Sequence, residues 1–266
     1  MEQYVTVGEN NIYVSIKGEG PPIVLIHGTA SYHFCWRNIV ATLSENYSVY
    51  ALDLLGYGES DKPVNACYSK EAHAQRVIEV LRKLNLSSVH LIGHSMGGEV
   101  SVHVALKAPE LVEDLTLIAP DGFRKGVHSF TKYIAKRGLL NGMFKGMLRR
   151  PPKPKMMSRM LGLPIETLTP DLLAGWTKPY SDPNMPYIIT KTLADDDTGV
   201  ISSKVCQLSL RVLLIYGTND KLVPQHVFRA YEKELPNISV EKYEGFGHVL
   251  MEECPEKLTE SILRFI

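Results

Sequence analysis

Residues 89–102 read VHLIGHSMGGEVSV, an apolar run that gives way to a helical pattern at Ser95. Gly93, Gly97 and Gly98 surround that serine. A hydroxyl in so sharp a strand-to-helix turn stands clear of the backbone only if its neighbours are glycine-sized. The amide of Met96, at the start of the helix, then faces any negative charge that develops beside the hydroxyl. Such a serine is a candidate nucleophile, provided that a base can take its proton. His248, in the glycine-rich loop EGFGHVLMEECPE, is the candidate base. An imidazole titrates ordinarily near pH ~6.5, which suits proton transfer in neutral solution. An acid must orient the imidazole. Asp220, in VLLIYGTNDKLVP, directly follows an apolar strand pattern and is the preferred partner, with Asp121 of LIAPDGF as its competitor. A second oxyanion donor is expected from the loop after an earlier strand, and Thr29 of LIHGTASYHFCW occupies that place.

The elements that must hold these residues follow from hydrophobic spacing. PIVLIHG, SVYALDL, SVHLIGHS, DLTLIAP and VLLIYGT read as buried strands, each closed by a turn. SKEAHAQRVIEVLRKLNL has helical spacing, with Ser69 as its N-cap. PQHVFRAYEKEL reads as a helix with proline at its first position. Strand–helix alternation predicts an α/β fold with a mostly parallel sheet and helices on both faces. The opening pair YVTVG and IYVSIKG predicts an antiparallel hairpin at its edge.

The composition changes near residue 122. Residues 122–165 contain eleven Lys or Arg and no Asp or Glu, and alternation resumes only at Arg211. Residues 122–200 therefore read as a helical insertion, a cap or lid, in a core built from residues 1–121 and 201–266. Gly138, Gly142 and Gly146 lie on one helical face, which predicts a thin, close-packing surface. Phe130, Ile134, Met143, Phe144 and Met147 are expected to line an apolar acyl pocket beneath cations that face water. Trp36 and Trp176 read as core or pocket wall, and His33 as a residue approaching the pocket. The basic cap also suggests an acidic carrier protein or an anionic surface as a partner.

Equal numbers of acidic and basic residues, 29 each, give no overall field toward nucleic acid. No apolar run reaches transmembrane length and the first residues lack signal-peptide patterning. Cys35, Cys67, Cys206 and Cys254 are widely spaced. Reduced thiols and a cytoplasmic setting are expected. LLGYGES has Asp61 where a dinucleotide fingerprint needs its third glycine, and there is no phosphate-loop Gly-Lys pair. The histidines make no zinc-ligand spacing, so neither metal nor organic cofactor is expected.

With HG in the oxyanion loop, then GYGESD, GHSMGG and a late GFGH, in that order, the chain resembles the α/β-hydrolase-fold serine hydrolases. The resemblance implies an eight-stranded sheet with a helical cap inserted after the sixth strand. It also implies a Ser95–Asp220–His248 triad, with the amides of Thr29 and Met96 as the oxyanion hole. Serine in place of aspartate at the nucleophile argues against the epoxide hydrolase and haloalkane dehalogenase members. The expected activity is hydrolysis of small to medium acyl esters. Neighbouring possibilities are a carbon–carbon bond hydrolase of ring-cleavage products, an esterase of carrier-bound acyl methyl esters, and a ligand receptor of the same fold. HGTAS lacks the proline that many carbon–carbon bond hydrolases carry in the oxyanion loop.

Overall fold

Alternating and continuous apolar runs build one eight-stranded sheet in a computed structural model that describes residues 1–123, 129–147 and 152–266. The strands are β1 (Glu2–Val7), β2 (Asn10–Lys17), β3 (Pro22–Ile26), β4 (Ser48–Leu52), β5 (Val89–His94), β6 (Val112–Ile118), β7 (Arg211–Gly217) and β8 (Ile238–Tyr243). Their spatial order is β1-β2-β4-β3-β5-β6-β7-β8. The β1–β2 and β2–β4 pairs are antiparallel and every later pair is parallel. All six residues of β5 are buried, as both-sided coverage of a central parallel strand requires.

The helices are α1 (Arg37–Leu43), α2 (Lys70–Lys83), α3 (Met96–Lys107), α4 (Ser129–Lys136), α5 (Asn141–Met147), α6 (Pro154–Leu161), α7 (Pro170–Thr177), α8 (Met185–Ala194), α9 (Gln225–Glu234), α10 (Leu250–Glu253) and α11 (Pro255–Phe265). One apolar cluster joins the sheet to α2, α3 and α9, and a second joins the opposite face to α1 and α11. The expected caps are largely in place. The Ser69 hydroxyl accepts from the Ala72 amide at 3.1 Å. Pro224 lies one residue earlier than its spacing predicts, as the N-cap of α9, because its ψ of 141° is still extended.

Between β6 and β7 the chain leaves the sheet to form α4–α8. Here the glycine stripe does not form the expected packing face. Gly138 is in the left-handed turn that ends α4, with φ 70°, so the helix is broken there. A Cβ on Gly142 or Gly146, both on α5, would meet nothing within 4 Å. Instead α4 and α5 both pack on α8. This turns Phe130, Tyr133 and Met143 outward, to 65%, 51% and 56% exposure.

Glu99, in the first turn of α3, is fully buried. One of its carboxylate oxygens accepts from the Gly199 amide at 3.3 Å, and the other has no partner among the described residues. Burial raises its pKa to about 7; Lys70 opposes the shift, while Asp121 and Asp197 add to it. Folded protein then holds this proton over a range in which unfolded chain has released it, so stability falls as pH rises from the ordinary carboxylate range toward 7. Glu99→Gln should flatten that decline. Thermal unfolding across pH should show the variant gaining about 3 kcal/mol over the parent at pH ~8, and little or nothing at pH ~4.

Candidate active site

Ser95 caps α3 with φ 54° and ψ −122°, a conformation that non-glycine residues rarely adopt. The elbow is held on both sides. Ser95 donates its amide to the Ile118 carbonyl of β6 at 3.0 Å. Its own carbonyl accepts from Gly98 at 2.9 Å and Asp121 at 3.0 Å. The glycines at 93 and 97 are there for space. A Cβ on Gly93 would sit 2.4 Å from the Gly97 carbonyl oxygen, and one on Gly97 would sit 2.2 Å from that of Ile26. The chain can therefore turn from β5 into α3 hard against the end of β3.

That end of β3 carries Thr29, whose hydroxyl donates to the Met96 sulfur at 3.3 Å and brings the two expected oxyanion residues together. His27 fixes the same loop. Its Nε2 accepts the Leu54 amide at 3.0 Å, so Nδ1 carries the proton and donates to the Gly28 carbonyl at 2.7 Å. Burial lowers its pKa, which keeps this tautomer neutral.

His248 meets Asp220. Nδ1 donates to Asp220 Oδ2 at 2.7 Å, which leaves Nε2 as the basic nitrogen. Asp220 Oδ1 accepts from the amides of Leu222 and Val223 at 2.8 and 3.0 Å. Burial works against the charged carboxylate, but the hydrogen bonds from His248, Val223 and Leu222 together with the His248 charge outweigh it and hold the pKa below the ordinary range. The competitor Asp121 is engaged elsewhere: its Oδ1 accepts the Gly122 amide and its carbonyl accepts the Tyr231 hydroxyl. The loop carrying His248 is fastened from below. Glu253 accepts from Gly247 at 2.7 Å and Val249 at 3.1 Å, and His94 donates Nε2–H to the His248 carbonyl at 3.0 Å. Burial, reinforced by the neighbouring His248, drives the His94 pKa down to about 3, so this ring stays neutral.

Ser95, His248, Thr29 and Asp121 face one cavity of about 320 Å³. Met160, Leu161, Trp176 and Tyr180 of the inserted segment close it from the other side. Trp176 lines this cavity, and its indole N–H donates to Glu252 at 2.8 Å. Glu252 in turn pairs bidentately with Arg37, tying α7 to the core. Trp36 is fully buried core, packed edge-on against His94.

Two expectations are corrected here. Phe130, Ile134, Met143 and Phe144 are not among the residues lining this cavity, because α4 and α5 lean on α8 rather than over Ser95. The side chain of Met147 lies outside the described residues. His33 is turned away, its ring and amide both captured by the buried carboxylate of Asp53. The wall residues that sequence reading missed, Met160, Leu161 and Tyr180, carry no distinguishing spacing. Glu253 could have been sought as an acid one helical turn beyond His248.

A family model described as alpha/beta hydrolase fold matches residues 21–255. The chain belongs to the alpha/beta hydrolase fold family. It is 26% identical to the uncharacterized hydrolase YugF of Bacillus subtilis (strain 168) over 100% of this chain and 97% of that one. It is also 26% identical to the uncharacterized carboxylesterase nap of the same strain, over 97% of this chain and 83% of that one. Among solved structures, the epoxide hydrolase CorEH superposes with a TM-score of 0.85 at 23% identity, covering 100% of this chain and 98% of that one. At that identity the likeness is one of fold. Among the described residues no group of His, Cys, Asp and Glu side chains could hold a metal ion, no helix is long and apolar enough to cross a membrane, and all four cysteines are free.

The Asp220–His248 contact makes a direct prediction. In wild-type protein the Nδ1 proton of His248 should resonate far downfield in the proton NMR spectrum. Asp220→Asn should abolish that signal and Asp121→Asn should retain it; the reverse pattern would assign the acid to Asp121.

Proposed function

We propose that this hydrolase is a serine carboxylesterase acting on small to medium acyl esters, with the segment between β6 and β7 serving as its cap. The observation that carries this reading is that Ser95 and His248 line one cavity, with His248 already fixed on the ionised Asp220. His248 Nε2 takes the Ser95 proton as the hydroxyl attacks the ester carbonyl. Asp220 stabilises the imidazolium, and the amides of Thr29 and Met96 receive the oxyanion. The C–O bond to the alcohol breaks as His248 returns its proton to that oxygen. Water then enters, gives a proton to His248 and attacks the acyl-enzyme, which releases the carboxylic acid and restores Ser95. The apolar side of the cavity, with Leu161, Trp176, Val223 and Val249, suits an acyl chain. Relatives named as a carboxylesterase and a lipase are in keeping with an ester substrate.

The test is turnover on p-nitrophenyl esters of increasing acyl length. Short and medium chains should be hydrolysed, and rates should decline once the chain outgrows the cavity. Ser95→Ala should lose a factor of about 10⁴ or more while remaining folded by circular dichroism. Full activity in that variant would rule the mechanism out.

A further inference from the structure

We propose that a second, smaller cavity beside His248 is a subsite for a carboxylate carried on the alcohol portion of the ester. The inference rests on the esterase reading and extends it to a substrate class: esters whose alcohol is a short hydroxy acid. His248 must protonate the departing alcohol, so that portion of the substrate has to lie against the imidazole. A cavity of about 110 Å³ adjoins the main one there, and the two share His248, Met160 and Leu222 as wall. At about 30 Å³ for each water-sized group, it has room for a carboxylate and one or two methylenes.

Its chemistry differs from that of the main cavity. Arg159 of α6 and Lys221 of the loop after β7 line it from the inserted segment and the core, and Asn219 lines it as well. Other cations of the inserted segment are neutralised: Lys132 pairs with Asp196, Lys178 with Glu59 and Lys191 with Asp195. Arg159 and Lys221 make no ion pair among the described residues. One carboxylate does reach the wall, that of Glu253, but its two oxygens are committed to the amides of Gly247 and Val249. Gly162 keeps the space above it open, since a Cβ there would stand 2.4 Å from the Glu253 carboxyl carbon. Two cations without an ion-pair partner among the described residues, and an amide, therefore line a space that borders the main cavity at His248, against which the leaving group has to lie. A carboxylate is the group that they would hold, with guanidinium geometry suited to its two oxygens.

The experiment compares two nearly isosteric esters, butanoyloxyacetate and butanoyloxyacetamide, by base titration of the acid released. The full chain should show kcat/KM about fivefold or more in favour of the anion, the size that solvent-exposed cation–carboxylate contacts support. In an Arg159→Gln/Lys221→Gln double variant the ratio should fall to about one. In a Lys136→Gln/Lys145→Gln variant, which removes the same charge from the outer helices, it should persist. A wild-type ratio near one, a preference that survives in the first variant, or an equal loss in both would overturn the subsite. Inertness toward both esters and toward p-nitrophenyl butyrate would instead overturn the esterase reading, and the subsite with it.

Discussion

The arrangement depends on one backbone constraint, the left-handed conformation of Ser95 between a buried strand and a helix. At φ 54° a serine is strained, and nothing local to it repays that strain. The neighbours hold it instead, through the Ile118 carbonyl on one side and the Gly98 and Asp121 amides on the other. Gly93 and Gly97 matter because a larger side chain at 93 would push α3 away from β5 and one at 97 would push it away from β3. Were α3 displaced, Met96 would move away from Thr29 and Ser95 would shift within the cavity it shares with His248. Strain at this residue and density around it are two views of the same requirement.

Burial then sorts the histidines by role. His27 and His94 are enclosed deeply enough that the neutral form is held; His27 bonds backbone groups through both ring nitrogens and His94 through Nε2. His248 is different because its partner is a carboxylate whose own charge is secured by two amides. The basic Nε2 is thereby left toward the cavity. A fixed anion behind the ring and neutral rings around it make this imidazole the one suited to accept and return a proton. The inserted segment adds its own constraint through Trp176 and Glu252, which anchor a pocket wall to Arg37 in the core.

The core was legible because parallel strands buried on both faces leave continuous apolar runs, and because glycines at an elbow are dictated by local crowding. Ser95, Asp220 and His248 stand out as candidates for a related reason: each follows a strand (β5, β7 and β8) at the same sheet edge, so topology brings their loops near one another. The inserted segment was not legible in this way. Whether Phe130 turns inward or outward depends on α8, more than fifty residues later, and Lys132 is drawn back by Asp196 in the same distant stretch. His33 was misjudged because its position is set by Asp53, whose carboxylate also collects the Glu59 amide, and no spacing announces that capture. Met160, Leu161 and Tyr180 reach the cavity through helix packing that residue type does not encode.

The most direct measurement is peptide mapping by mass spectrometry after brief exposure of the folded protein to a fluorophosphonate, which phosphonylates only an activated hydroxyl. The account predicts one adduct, on the peptide containing Ser95, and its near disappearance in His248→Ala protein treated identically. An adduct on another residue, or equal labelling of Ser95 without the imidazole, would contradict it.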